Sequence, residues 1–118
     1  MSQASFTALT NEQLRTLRCR HMTAADQLGD AAITAQLQAT PQWRHEDGAL
    51  RRTYTFANFY ETMAFVNAIA WIFHREDHHA DLNVTYNQVS LAFNTHSANG
   101  ISLNDFICAA KVDEVFGQ

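Results

Sequence analysis

The chain has 118 residues, 47% of them hydrophobic and 17% charged, which suits one compact domain with a real core and excludes both a two-domain enzyme and a disordered chain. Eight Lys and Arg stand against twelve Asp and Glu, a formal charge of −4, and without a basic run the chain has no electrostatic grip on nucleic acid or anionic lipid. No apolar stretch reaches the roughly 18 residues of a membrane span, so neither nucleic acid nor a membrane is an expected partner.

The N-terminus, MSQASFTALTNEQLR, lacks a basic start followed by an apolar block, which argues against a secretory signal and for a cytoplasmic protein. Thr10-Asn11-Glu12-Gln13 has the form of a capping box and predicts a short helix to about His21, so that residues 1–27 form a helical extension of a single domain over 1–118. Residues 29–39 predict a second helix, with Leu28, Ile33 and Leu37 apolar and Pro41 enforcing a stop. From Trp43 the period changes. Leu50, Arg52, Tyr54 and Phe56 alternate with Arg51, Thr53 and Thr55 behind an Asp47-Gly48 turn, predicting a β-hairpin over 42–56.

Asn58, with Glu61 three residues on, opens the longest helix, along which Phe59, Met63, Val66, Ala70 and Phe73 form one apolar stripe. A second stripe, Phe65, Ile69 and Ile72, lies about 120° round the helix. Two apolar faces need two partners: the sheet is one, and a neighbouring helix or a second subunit is the other. Leu82, Val84 and Tyr86, then Val89, Leu91 and Phe93, alternate with a phase slip at Asn87-Gln88, predicting two strands or one bulged strand, with Tyr86 in the core. A turn at Ser97-Ala98-Asn99-Gly100 leads to a last helix after Ser102, on the stripe Leu103, Phe106, Ile107 and Ala110. The order predicts an α+β fold, an antiparallel sheet with helices packed on one face.

Polar residues that suit neither a core nor a solvated surface gather between His74 and Asp105. His74-Arg75-Glu76-Asp77-His78-His79 follows directly on the long helix, and His96 ends the last strand run. Imidazole titrates near pH ~6.5, so such a cluster can exchange protons at neutrality. Each member also has a purely structural role open to it. His74 and His78, four apart at a helix end, can complement the helix dipole; Asp105, three after Ser102, can be the acidic half of a capping box. Zinc chelation by His74 and His78 with His79 or His96 is the competing chemistry, opposed by Arg75 standing where zinc-binding helices place a glutamate. Cys19 and Cys108, far apart in sequence, are expected to be reduced, ordinary buried or idle thiols. Spacing alone defines a site and no named reaction.

The ordered motifs His74-x3-His78-His79, Tyr86-Asn87, Thr95-His96 and Asp105-Phe106, with Trp43 after a proline, Arg52-Thr-Tyr-Thr-Phe56 and Met63-Ala-Phe-Val-Asn67, resemble the pterin-4a-carbinolamine dehydratases over roughly residues 28 to 116. The resemblance implies a four-stranded antiparallel sheet with helices on one face, usually in dimers or tetramers. It implies a hydro-lyase, 4a-hydroxytetrahydrobiopterin dehydratase, working in tetrahydropterin recycling without metal or organic cofactor, on the product of an aromatic amino-acid hydroxylase. By analogy His79 is the base near N5, and His78 or His96 the acid near the 4a-hydroxyl. Asp77 and Asp105 orient imidazoles, His74 supports, and backbone around Ala80 and around Thr95, His96, Ser97 and Ala98 holds the pterin ring. Three departures are visible: Ala80 replaces a usual proline, no acidic residue follows His96, and His74 stands where many relatives have Glu. None removes an acid or base, so retuned activity is expected before inactivity. Relatives that act as a transcription cofactor or in RuBisCO assembly supply the alternative, a non-catalytic binding module on the same fold.

Overall fold

Residues 6–117 are described by the computed structural model. Asp47 and Gly48, with φ of 51° and 74°, turn the chain between β1 (Arg44–Glu46) and β2 (Ala49–Thr55). Positive φ at both central residues is the hairpin geometry that aspartate followed by glycine reaches at least cost. β2 then pairs antiparallel with β4 (Gln88–Phe93), and β4 with β3 (Asp81–Val84). The sheet order is β1-β2-β4-β3.

Alternation decides which face is covered. Leu50, Arg52 and Tyr54 of β2 and Val89, Leu91 and Phe93 of β4 are buried, while Thr53 and Ser90 lie on the opposite face and share a 2.8 Å hydroxyl hydrogen bond. On the buried face lie α3 (Phe59–Glu76) and α4 (Leu103–Phe116), with α1 (Asn11–Thr16) against α4 and α2 (Asp30–Leu37) beside them. Phe65 and Ile69 make the stripe of α3 that faces the core; Phe59 and Ala70, on the other stripe, are exposed, as are Tyr60 and Trp71.

Asp113, near the end of α4, binds three partners from the sheet side. It accepts hydrogen bonds from Trp43 Nε1 (3.0 Å), from the Tyr54 hydroxyl and from Arg52 (2.6 Å). The Arg52 guanidinium lies 4.2 Å from the Tyr54 ring centroid. A buried ion pair whose carboxylate also accepts from an indole and a phenol ties the end of α4 to the strand.

Two expectations fail for tertiary reasons. The first helix stops at Thr16 instead of near His21, because Leu17 is extended (φ −84°, ψ 160°) and the following residues are pulled across the molecule. Cys19 N–H bonds Glu76 at the end of α3 (2.8 Å) and Arg20 N–H bonds Asn104 on α4 (3.2 Å). Tyr86 is 64% exposed: β3 ends at Val84, so Tyr86 falls in the turn and only its carbonyl is tied down, by the Thr62 hydroxyl at 3.0 Å.

Candidate active site

The site begins where α3 ends. Asp77 takes the left-handed conformation (φ 51°, ψ 42°) and its N–H closes the helix on Phe73 O. Aspartate tolerates that conformation better than most residues. The reversal throws His78 out of the helical path and under the sheet, so His74 and His78 do not share a helical face.

Asp105 receives it. Its Oδ1 lies 2.6 Å from His78 Nε2, and its Oδ2 accepts from the Thr95 hydroxyl (2.8 Å) and from Ser102 N–H (3.0 Å). The fully buried carboxylate can only accept once ionised, so His78 donates from Nε2. The hydroxyl hydrogens follow. Thr95 gives its single proton to Asp105, so the 2.7 Å bond between Thr95 and Ser102 must be donated by Ser102. Both sequence readings of Asp105 therefore hold together: it completes a capping box on α4 and it holds an imidazole. The Phe93 ring, 5.9 Å away and 12° from parallel, fixes the plane of the His78 ring. With Nε2 committed, Nδ1 is the nitrogen left for a ligand.

His79 is polarised the other way. Its Nδ1 is 3.1 Å from Ala80 O, a carbonyl that can only accept, so Nδ1 carries hydrogen and Nε2 keeps the lone pair in the neutral ring. His96 opens a short 3₁₀ turn, His96–Ala98, anchored by paired backbone hydrogen bonds between Thr95 and Gly100 (2.7 and 3.3 Å). His78, His79, Asp77, Thr95, His96 and Ser97 all line one cleft of about 590 Å³, within the usual range for small-molecule sites.

Three expected site residues lie elsewhere. His74 stacks on Trp71 (5.4 Å, 27°) on the exposed side of α3, outside the cleft lining. Ala80 and Ala98, 2% and 0% exposed, stand behind the wall. The Ala80 carbonyl is taken by His79, and Ala98 N–H is taken by Thr95 O at 3.0 Å. His74 is therefore not beside His78, His79 and His96, and among the described residues no group of three His, Cys, Asp or Glu is placed to hold a metal ion.

Sequence reasoning missed the far wall. Cys19, Arg20, His21 and Met22 also line the cleft. Cys19 and Cys108, expected to be ordinary buried or idle thiols, bring their sulfurs to 3.6 Å, and the hydrogen bond to Cys19 together with burial pushes the Cys108 thiol up. Glu76 holds this segment. Burial alone would raise its carboxyl, but the Lys111 ammonium (2.8 Å), the Cys19 amide and Arg18 (3.2 Å) outweigh it and hold the carboxyl below its ordinary range. Sequence signals for this were slight: an acidic residue in the last turn of a helix, where the dipole disfavours it, is the one that asks for cationic partners.

A four-stranded antiparallel sheet backed by helices, with three imidazoles around one cleft and two of them, His78 and His79, of opposite hydrogen-bond polarity, defines an α+β protein with its polar site at the end of α3. Residues 26–115 match the profile of the family described as Pterin 4 alpha carbinolamine dehydratase, and the chain belongs to that family. It is 48% identical over 100 residues to a Chromobacterium violaceum protein named "Putative pterin-4-alpha-carbinolamine dehydratase", covering 85% of this chain and 93% of that one. A Nitrosospira multiformis protein of the same name is 44% identical over 108 residues, 91% of this chain and 96% of its own length. Among solved structures, a transcriptional coactivator/pterin dehydratase from Brucella melitensis superposes with a TM-score of 0.74 at 28% identity, covering 77% of this chain and 99% of that one.

Proposed function

We propose that this protein dehydrates 4a-hydroxytetrahydropterin to quinonoid dihydropterin and water. The observation that carries the reading is the 2.6 Å bond from His78 to buried Asp105 beside a second imidazole, His79, whose opposite nitrogen is the open one. The reaction needs one base and one acid. Nε2 of His79 takes the proton from N5, and the N5 electron pair forms the new double bond to C4a. The C4a–O bond breaks as the leaving oxygen takes a proton from Nδ1 of His78 or from His96, giving water. The Asp105 carboxylate holds Nε2 of His78 at 2.6 Å and leaves Nδ1 facing the substrate, which favours that ring as the acid. No metal or organic cofactor enters these steps, and a hydroxylase that consumes tetrahydropterin would supply the substrate.

The test is the decay of 4a-hydroxytetrahydropterin followed with wild type, His79→Ala and His78→Ala. A loss on the order of a hundredfold or more is expected for each variant. Equal decay with wild type and His79→Ala overturns the reading.

A second role has its own support. Tyr60 and Trp71 of α3 are 84% and 66% exposed, and the Brucella protein is described as a coactivator as well as a dehydratase. Self-association through this exposed face of α3 into a dimer or tetramer is compatible with catalysis, because Tyr60 and Trp71 lie outside the cleft lining.

A further inference from the structure

We infer that the segment Cys19–Met22, outside the part of the chain that matches the family profile, is a specificity wall that reads the substituent on the pterin ring. The inference rests on the dehydratase reading for its ligand class. The segment is built into place. Asn104, 4% exposed at the start of α4, accepts from Arg20 N–H (3.2 Å) and donates to Arg20 O (2.7 Å), bonding both polar groups of one backbone residue. Glu76 takes the neighbouring Cys19 N–H at 2.8 Å, and Met22 is buried. Asn104 adjoins Asp105 in the chain, so the group that clamps the wall and the group that holds His78 share one helical turn.

The bicyclic ring belongs with the imidazoles, and a bicycle fills only part of a cleft of about 590 Å³. What extends from the ring meets the remaining wall. Arg20 and His21 line that wall: the Arg20 guanidinium, held by Asp26 (3.1 Å) and His21 O (3.2 Å), has five donors in all, and the exposed His21 imidazole offers one donor and one acceptor nitrogen when neutral. Such a wall favours a chain bearing hydroxyl acceptors over a plain alkyl group. Asn104 is a positioning residue; His21 and Arg20 are the readers.

The experiment measures dissociation constants for two 7,8-dihydropterins, one with a dihydroxypropyl chain at C6 and one with a methyl group there, using wild type, His21→Ala, Arg20→Ala and Asn104→Ala. Wild type is expected to prefer the hydroxylated ligand, and the variants to weaken that ligand about three- to tenfold while leaving the methyl ligand unchanged. His21→Ala removes an exposed side chain and keeps the fold, so its result stands even where Asn104→Ala loosens the segment. An unchanged ratio of the two constants in His21→Ala and Arg20→Ala overturns the inference, as does equal weakening of both ligands. Discriminating binding without any acceleration of 4a-carbinolamine decay would sustain the wall and sink the dehydratase reading; catalysis with an unchanged ratio would do the reverse.

Discussion

Asp105 accepts three hydrogen bonds, from an imidazole, a hydroxyl and a backbone amide. Asparagine in its place keeps the volume and turns one of the two accepting oxygens into a donor, so His78 or the Thr95–Ser102 pair loses its partner. Asp105→Asn is expected to lower turnover on the order of a hundredfold through misplacement of His78, with circular dichroism showing retained helix content. The sulfur pair makes a separate prediction. Cys108 is buried and its thiol is pushed up, whereas Cys19 is half-exposed at the cleft; iodoacetamide at mildly alkaline pH should label Cys19 in the folded protein and Cys108 only after unfolding, read by peptide mass spectrometry. What was legible at this scale was local. Ser102 and Asp105 are three apart and announce their cap, and His78 with His79 announces itself by density. Cys19 meets Cys108 across 89 positions and Asn104 meets Arg20 across 84, and no periodicity encodes such an encounter.

At the level of elements, the repeating stripe of α3 and the Asp-Gly hairpin were readable because each depends on neighbours within a few residues. The end of α1 was not, because Glu76 decides it from another helix. That carboxyl is held below its ordinary value of 4.5 by Lys111, Cys19 N–H and Arg18 against the opposing effect of burial. A depressed acid contributes stability that is present above its unfolded value and lost as pH falls through the folded one. Glu76→Gln is therefore expected to cost about 3 kcal/mol near pH 7, since it leaves buried Lys111 without its counter-charge. The gap to wild type should close as the solution is acidified below pH 4.5, and urea titrations at several pH values measure it. A gap independent of pH would show that the carboxylate's charge is not what anchors the N-terminal segment.

Across the whole molecule, the Asp113 cluster ties the sheet to the end of α4 and makes alkaline stability a property of the fold. Burial, then the Asp113 charge and hydrogen bond, push the Tyr54 phenol well above its ordinary 10.0. The folded state keeps that proton when the unfolded chain releases it, so this contribution is intact below pH 10.0 and is lost as pH rises beyond it. The slope approaches about 1.4 kcal/mol per pH unit. Tyr54→Phe should be less stable at neutral pH yet flatter above pH 10.0, by denaturant titration. Assembly belongs to the same scale: if a second copy covers Tyr60 and Trp71, the double Ser variant should sediment at lower mass while leaving the rate of the proposed dehydration unchanged. An unchanged mass would place any subunit interface elsewhere.

The cap on α4 and the brace behind His78 are a single carboxylate, and this links inactivation to misfolding at one codon. A mutant library sorted for clones that are soluble but inert would return position 79 with many replacements and position 105 with little beyond asparagine, because most other replacements there would already have been discarded with the insoluble fraction. Drift away from catalysis in such a chain would start at the rim of the cleft and reach its floor last.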